Sequence, residues 1–223
     1  MIFVHGAGLN EKIWVNQIQD FPDALYPTLV RDVKKEPSVH NFTRNLKSYI
    51  NTCSPDTVVL VGHSLGAGVA LDYALTYPDE VDGLVLISSS PKFQVPEQLL
   101  DLILTDVTQF IDTVVTMGFH QSADENAKGI FKSVMQEMPP EVVHYDYTCA
   151  NTFDIQDKIG SISTPSVVIA GEHDQMIPLQ FAEMLADQLK NSQLAVIPQA
   201  GHMVILSQPA LVTKEIKAFL DHL

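Results

Sequence analysis

The sequence predicts an α/β protein: a mostly parallel sheet of about six strands, helices on both faces, and a helical insertion near the middle. Three observations carry this prediction. Short β-branched runs alternate with amphipathic stretches along most of the chain, the pattern of a parallel sheet covered on both sides. One such run passes through Gly62-His63-Ser64-Leu65-Gly66 straight into an apolar helix. The stretch 91–160 breaks the alternation, with helical periodicity and no convincing strand.

In chain order, Ile2, Phe3 and Val4 make the first strand, broken by His5-Gly6-Ala7-Gly8. Residues 24–30 make a weaker strand, and Pro27 inside it, lacking an N–H, suits a sheet edge. Phe42, Leu46 and Ile50 recur every fourth residue and mark one face of a helix. The Val/Leu runs at 57–61, 84–87, 166–170 and 194–197 read as buried strands. A helix over 65–77 is stopped by Pro78, and one over 178–189 opens on proline in its first turn. A last helix spans 209–223. Within the insertion, helical stretches fall at 96–104, 108–117 and 123–138, with a shorter one after Pro139-Pro140. The expected organisation is a core of 1–90 and 161–223, with 91–160 forming a cap over the carboxyl ends of the strands, where open α/β sheets bind ligands. A small helical domain with a partner surface of its own is the alternative.

Composition narrows the function classes. The 223 residues carry 13 Lys plus Arg against 27 Asp plus Glu, a net charge of -14 that repels nucleic acid and anionic membrane surfaces. With 46% hydrophobic residues a sizeable core can form. No apolar run approaches the roughly 20 residues that span a bilayer, and residues 1–6 show no secretory pattern. Cys53 and Cys149 are far apart and read as free thiols of a cytoplasmic protein. No histidine pair has zinc-ligand spacing with a third ligand nearby, so no metal is expected.

The chemistry is expected at Ser64. Gly62 to Gly66 is the G-x-S-x-G pattern in its strand–turn–helix context, which lifts a serine hydroxyl above the sheet edge at a helix N-terminus. The same glycines would also suit a plain tight turn. A serine needs a base and a group to orient that base. Gly171-Glu172-His173-Asp174 and Gly201-His202-Met203 each follow a strand, in the order Ser, Asp, His. Asp174 would accept the Nδ1 proton of His202 and leave Nε2 to take the Ser64 proton. Glu172 is the rival acid but sits nearer the strand body. The oxyanion donors would be the backbone N–H groups of Leu65 and of Ala7, with Gly8 the second choice. His5 and His63 are expected to brace their own turns.

With those residues in place, the chain resembles the α/β-hydrolase superfamily over nearly its whole length. His5 to Asn10 with Trp14 is similar to the oxyanion loop of small carboxylesterases, the pimeloyl-ester esterases of biotin synthesis among them. The stretch from His202 to Pro209 is similar to the final motif of bacterial esterases and of the plant methylesterase and hydroxynitrile-lyase group. The resemblance implies a Ser-His-Asp hydrolase with a helical cap and no cofactor. Two strands that usually precede the first motif are absent from the pattern, and the loop 31–37 lacks the Asp-x-x-Gly-x-Gly-x-Ser stretch of many relatives. An exposed edge at 24–30 would invite a second chain, so a homodimer is the partner expectation.

No Arg or Lys stands beside these motifs in sequence, so a small, neutral, largely apolar ester is the expected substrate. Phe119 and Phe131 would line its pocket from the cap, and Trp14, Gly8 and Met203 from the sheet side. Cleavage of a carbon–carbon bond or a cyanohydrin on the same triad is one alternative. A non-catalytic ligand receptor is another.

Overall fold

In the computed structural model, which describes residues 1–223, β1 (Ile2–Val4), β2 (Val59–His63), β3 (Gly83–Ile87), β4 (Ser166–Gly171) and β5 (Ser192–Ile197) form one sheet. The strands lie side by side in chain order and every pairing is parallel. All five carboxyl ends therefore point to one edge of the sheet. β2 and β3 are buried along their whole length, which is why their sequences are apolar without alternation.

The helices are α1 (Gln17–Asp20), α2 (Val39–Cys53), α3 (Leu65–Thr76), α4 (Glu97–Thr105), α5 (Val107–Gly118), α6 (Glu125–Gln136), α7 (Pro140–Asn151), α8 (Leu179–Gln188), α9 (Val204–Ser207) and α10 (Pro209–Leu220). Their starts follow local chemistry. Ser38 accepts from the N–H of His40 ahead of α2, Asp106 from Gln109 ahead of α5, and Asp124 from Asn126 ahead of α6. α3 is buried on nearly every side, between β2 and α2, so it carries alanines and glycines in place of an amphipathic pattern. None of the helices is long and apolar enough to cross a membrane.

Two expectations about the sheet are corrected. It has five strands rather than six: residues 24–30 touch β1 through a single bridge, Leu25 to Ile2, with hydrogen bonds from Phe3 N–H to Leu25 O and from Leu25 N–H to Met1 O. Beyond it Pro27 cannot donate, and the later polar groups go to side chains. Leu29 N–H donates to His5, and Val30 O accepts from Asn45. Nor is β5 a buried strand. It is the outer edge, with Leu194 and Val196 exposed and only Ile197 buried.

The four helices α4 to α7 leave the sheet after β3 and return before β4 through a two-legged neck. There Lys92 and Asp154 form an antiparallel bridge, Ile155 N–H donates to Pro91 O at 2.9 Å, and Phe93 stacks on Phe153 at 5.3 Å. A lysine–carboxylate contact of 2.8 Å joins the same two legs.

Candidate active site

β2 ends and α3 begins around Ser64, whose φ of 52° and ψ of -119° are a conformation that side chains rarely adopt. Such a residue costs roughly 1–3 kcal/mol and persists only where its surroundings hold it. They do so here by close approach: a Cβ on Gly62 would strike the backbone of Gly66 and Ala67, and one on Gly66 would strike the carbonyl of Val4. The N–H of Ser64 is tied to Ile87 O at 2.9 Å.

The loops after β4 and β5 bring Asp174 and His202 together. His202 Nδ1 lies 2.9 Å from Asp174 Oδ2, and both side chains are almost wholly buried. The other carboxylate oxygen, Oδ1, accepts from the N–H groups of Met176 and Ile177 at 2.9 and 2.8 Å. That arrangement leaves Oδ2 for the imidazole, whose Nδ1 must then carry the proton and whose Nε2 is free to accept one. Glu172, the rival acid, is instead exposed, near His173 and the N–H of Gln199. His202 is also gripped by its backbone: its carbonyl accepts from His63 Nε2 at 3.0 Å and Ser88 Oγ at 2.9 Å. The next N–H, of Met203, donates to Gly118 O at the end of α5.

His5 and His63 are buried beneath this edge. His5 Nδ1–H donates to Gly6 O, and its Nε2 accepts from Leu29 N–H. Burial, helped by the charge of Arg31, holds His5 down to about 3, and burial beside His202 does the same to His63. Both rings are neutral.

Ser64, Ala7, His202, Met203 and Phe131 line one cavity of about 370 Å³, within the size range of small-molecule sites. Asp174 stands behind His202, and Leu65 is buried at the first position of α3, where a helix N–H has no intrahelical acceptor. The N–H of Ala7 donates to no protein group, whereas that of Gly8 donates to Asp146.

Three residues expected on the cavity lie off it. Trp14 is buried against Phe3 and, edge-on, against His63. Gly8 is turned toward Met135 and Val143. Phe119 packs behind Phe131 at 5.9 Å. The wall also holds residues that no sequence motif marks. Met176, Ile177 and Phe181 follow directly on Asp174, and Tyr147 comes from α7. Lys92 joins them from the neck, so a cation does reach the wall although none is near in sequence, and it is paired with Asp154. Proximity to Asp174 is a signal for the first group; nothing in the sequence points to Lys92.

The most extensive polar cluster outside the Asp174 loop likewise belongs to no motif. Asp146 on α7 is fully buried and faces Arg31, itself 7% exposed. Burial pushes the Asp146 carboxyl up, against the opposing pull of Arg31 and the Gly8 N–H.

The profile described as "Alpha/beta hydrolase family" matches residues 1–215. Among curated proteins, the pimeloyl-[acyl-carrier protein] methyl ester esterase of Pectobacterium carotovorum subsp. carotovorum (strain PC1) is 26% identical over 244 residues, covering 98% of this chain and 93% of that one. Among solved structures, a thermophilic esterase from Thermogutta terrifontis superposes with a TM-score of 0.90 at 23% identity, covering 99% of this chain and 89% of that one. An esterase from Exiguobacterium antarcticum gives 0.92 at 17% identity, covering 99% and 91%. These two likenesses show the fold. With the strained serine between β2 and α3, five parallel strands in chain order and a matching profile over nearly its full length, the chain belongs to the alpha/beta hydrolase family.

Proposed function

We propose that the protein hydrolyses small, neutral, largely apolar carboxylic esters through an acyl-enzyme on Ser64. The observation that carries this reading is the His202–Asp174 pair, with Nε2 free, on the same cavity as a strained serine. Ser64 Oγ attacks the ester carbonyl carbon while His202 Nε2 takes its proton. The negative charge that develops on the carbonyl oxygen rests on the N–H groups of Ala7 and Leu65, each such donor being worth about 2.7–4 kcal/mol in the transition state. The intermediate collapses, the C–O bond to the alcohol breaks, and His202 returns the proton to the departing oxygen. Water then attacks the acyl-enzyme, giving its proton to His202, and the acid leaves as Ser64 regains its hydrogen.

The helical insertion serves as the cap of this pocket, supplying Val114, Phe131 and Tyr147 to the lining. Residues 91–160 carry eleven Asp and Glu against four Lys and no Arg. Three of those lysines are already in ion pairs. An acyl group presented by an acidic carrier protein would meet like charge on this acidic insertion, so the reading favours a free ester over a carrier-bound one.

Hydrolysis of p-nitrophenyl esters from acetate to decanoate, with Ser64→Ala alongside, tests this. Turnover that the variant abolishes, with an optimum at short to middle chain lengths, is expected. Absence of Ser64-dependent release from every ester overturns the reading in favour of carbon–carbon cleavage or ligand binding.

A further inference from the structure

The loop after β1 is fixed by polar bonds on both sides of Ala7. His5 donates to Gly6 O and accepts from Leu29 N–H, which sets the loop's entry. On the far side, Gly8, in a left-handed conformation with φ of 67°, donates its N–H to Asp146 Oδ2 at 2.9 Å. Arg31 Nη2 donates to the same oxygen and to Leu9 O, both at 2.7 Å; Nε donates to Asp146 Oδ1 at 3.1 Å, and Nη1 to Leu29 O at 3.0 Å. Between these clamps lies Ala7, which lines the cavity and whose N–H donates to no protein group.

A buried ion pair is a poor source of stability, because desolvating two charges offsets most of their attraction. Its value here is directional. The planar fork of Arg31 ties Asp146 on α7, Leu9 in the loop and Leu29 beyond it into one rigid set, which a lysine's single ammonium could not do. We propose that Arg31 and Asp146 are positioning residues for the oxyanion loop, so that the helical insertion itself holds the Ala7 N–H where the developing oxyanion needs it. The proposal rests on the esterase reading above and adds to it a second duty for the insertion.

The test compares Arg31→Lys, Asp146→Asn and the double variant Arg31→Gln/Asp146→Asn, which leaves no lone buried charge and keeps the fold accessible. Rates on p-nitrophenyl butyrate are normalised to sites titrated to completion with a fluorophosphonate. Displacing an oxyanion donor by an ångström lowers kcat about 100-fold with KM nearly unchanged. Arg31→Lys, which keeps the charge and loses the fork, should lose kcat while its melting stays cooperative. Affinity for phenylboronic acid, whose adduct with Ser64 is tetrahedral, should fall in parallel, while binding of intact ester by each variant combined with Ser64→Ala stays constant. If the folded double variant keeps kcat per titrated site and its boronate affinity, Arg31 and Asp146 are only fasteners and the proposal is overturned. Failure of the wild type to turn over esters would sink the esterase reading alone. The boronate comparison would still decide the positioning role.

Discussion

Two buried carboxylates stand out in this molecule, one in the loop after β4 and one in the insertion, and their partners separate them. Asp174 accepts two backbone N–H groups on one oxygen and offers the other to the His202 imidazole. Asp146 also receives a backbone N–H, but its charged partner is Arg31, a guanidinium that stays protonated. On the mechanism and the positioning role proposed above, the same kind of buried carboxylate would serve a moving proton at one place and a fixed geometry at the other. The side chain is identical; what faces it differs, an imidazole at one place and a guanidinium at the other.

Exchanging each carboxylate for its amide sharpens that contrast most. Asp174→Asn leaves the backbone bonds largely available but presents an amide to the imidazole. Loss of kcat by about 10⁴-fold is expected with a small change in Tm. Asp146→Asn should show the reverse balance: a smaller kinetic loss, and about 3–5 kcal/mol of stability removed because Arg31 is left buried without its counter-charge. Parallel steady-state kinetics and urea denaturation measure both. The distinction between the two carboxylates collapses if Asp174→Asn melts early or Asp146→Asn is kinetically the worse.

Shape and chemistry should separate as well. Phe131, buried in α6, lines the cavity. Phe131→Ala should cost about 3 kcal/mol of stability and move the preferred acyl chain to greater length, while the Ser64 machinery keeps working. A profile across ester chain lengths reads this directly. An unchanged optimum would mean that the acyl group lies elsewhere in the cavity.

The contrast between switchable and fixed charge extends to histidine. His5 and His63 are neutral in the fold, held to about 3 by burial, whereas in the unfolded chain they titrate near the ordinary histidine value of 6.5. The unfolded state thus binds more protons below pH 6.5. The stability these rings contribute is complete above that pH and is lost as pH falls toward 3, by up to about 1.4 kcal/mol per unit for each ring. Denaturation midpoints at pH 7 and pH 5 should differ accordingly. His63→Gln should flatten the slope. The smallest effect belongs to Lys92, whose pair with Asp154 is partly exposed. Lys92→Met should change stability by no more than about 1 kcal/mol and leave turnover of neutral esters nearly intact. A large rise in KM would instead show that Lys92 binds substrate.

Legibility in the sequence follows the same divide. Strands whose apolar runs are buried on both faces, and the glycine-bracketed turn at Ser64, are local patterns with local causes. The places of Ser64, Asp174 and His202 at strand ends are therefore legible from the order of residues alone. The segment 24–30 has the composition of a strand, but Pro27 and the side-chain claims on Leu29 and Val30 leave it one bridge long. Arg31 and Asp146 carry no sequence signal because their meaning is a meeting of residues 115 positions apart. The one available hint is an aspartate among the apolar residues of α7, where an unpaired carboxylate would be costly. Trp14 and Phe119 fall off the cavity wall because aromatic content says that a residue is buried and nothing about which side it is buried on.

The two-legged neck at Lys92 and Asp154 has a consequence for the history of such a chain. Residues 62 positions apart are pinned there, so the excursion between them is a closed loop whose entropy of closure varies only with the logarithm of its length. Doubling or halving the excursion would alter that cost by about 0.6 kcal/mol. Closure entropy therefore sets little limit on the length of what lies beyond the neck; the limit is set by contact, since whatever lies there must still reach down to Gly8 and to Met203.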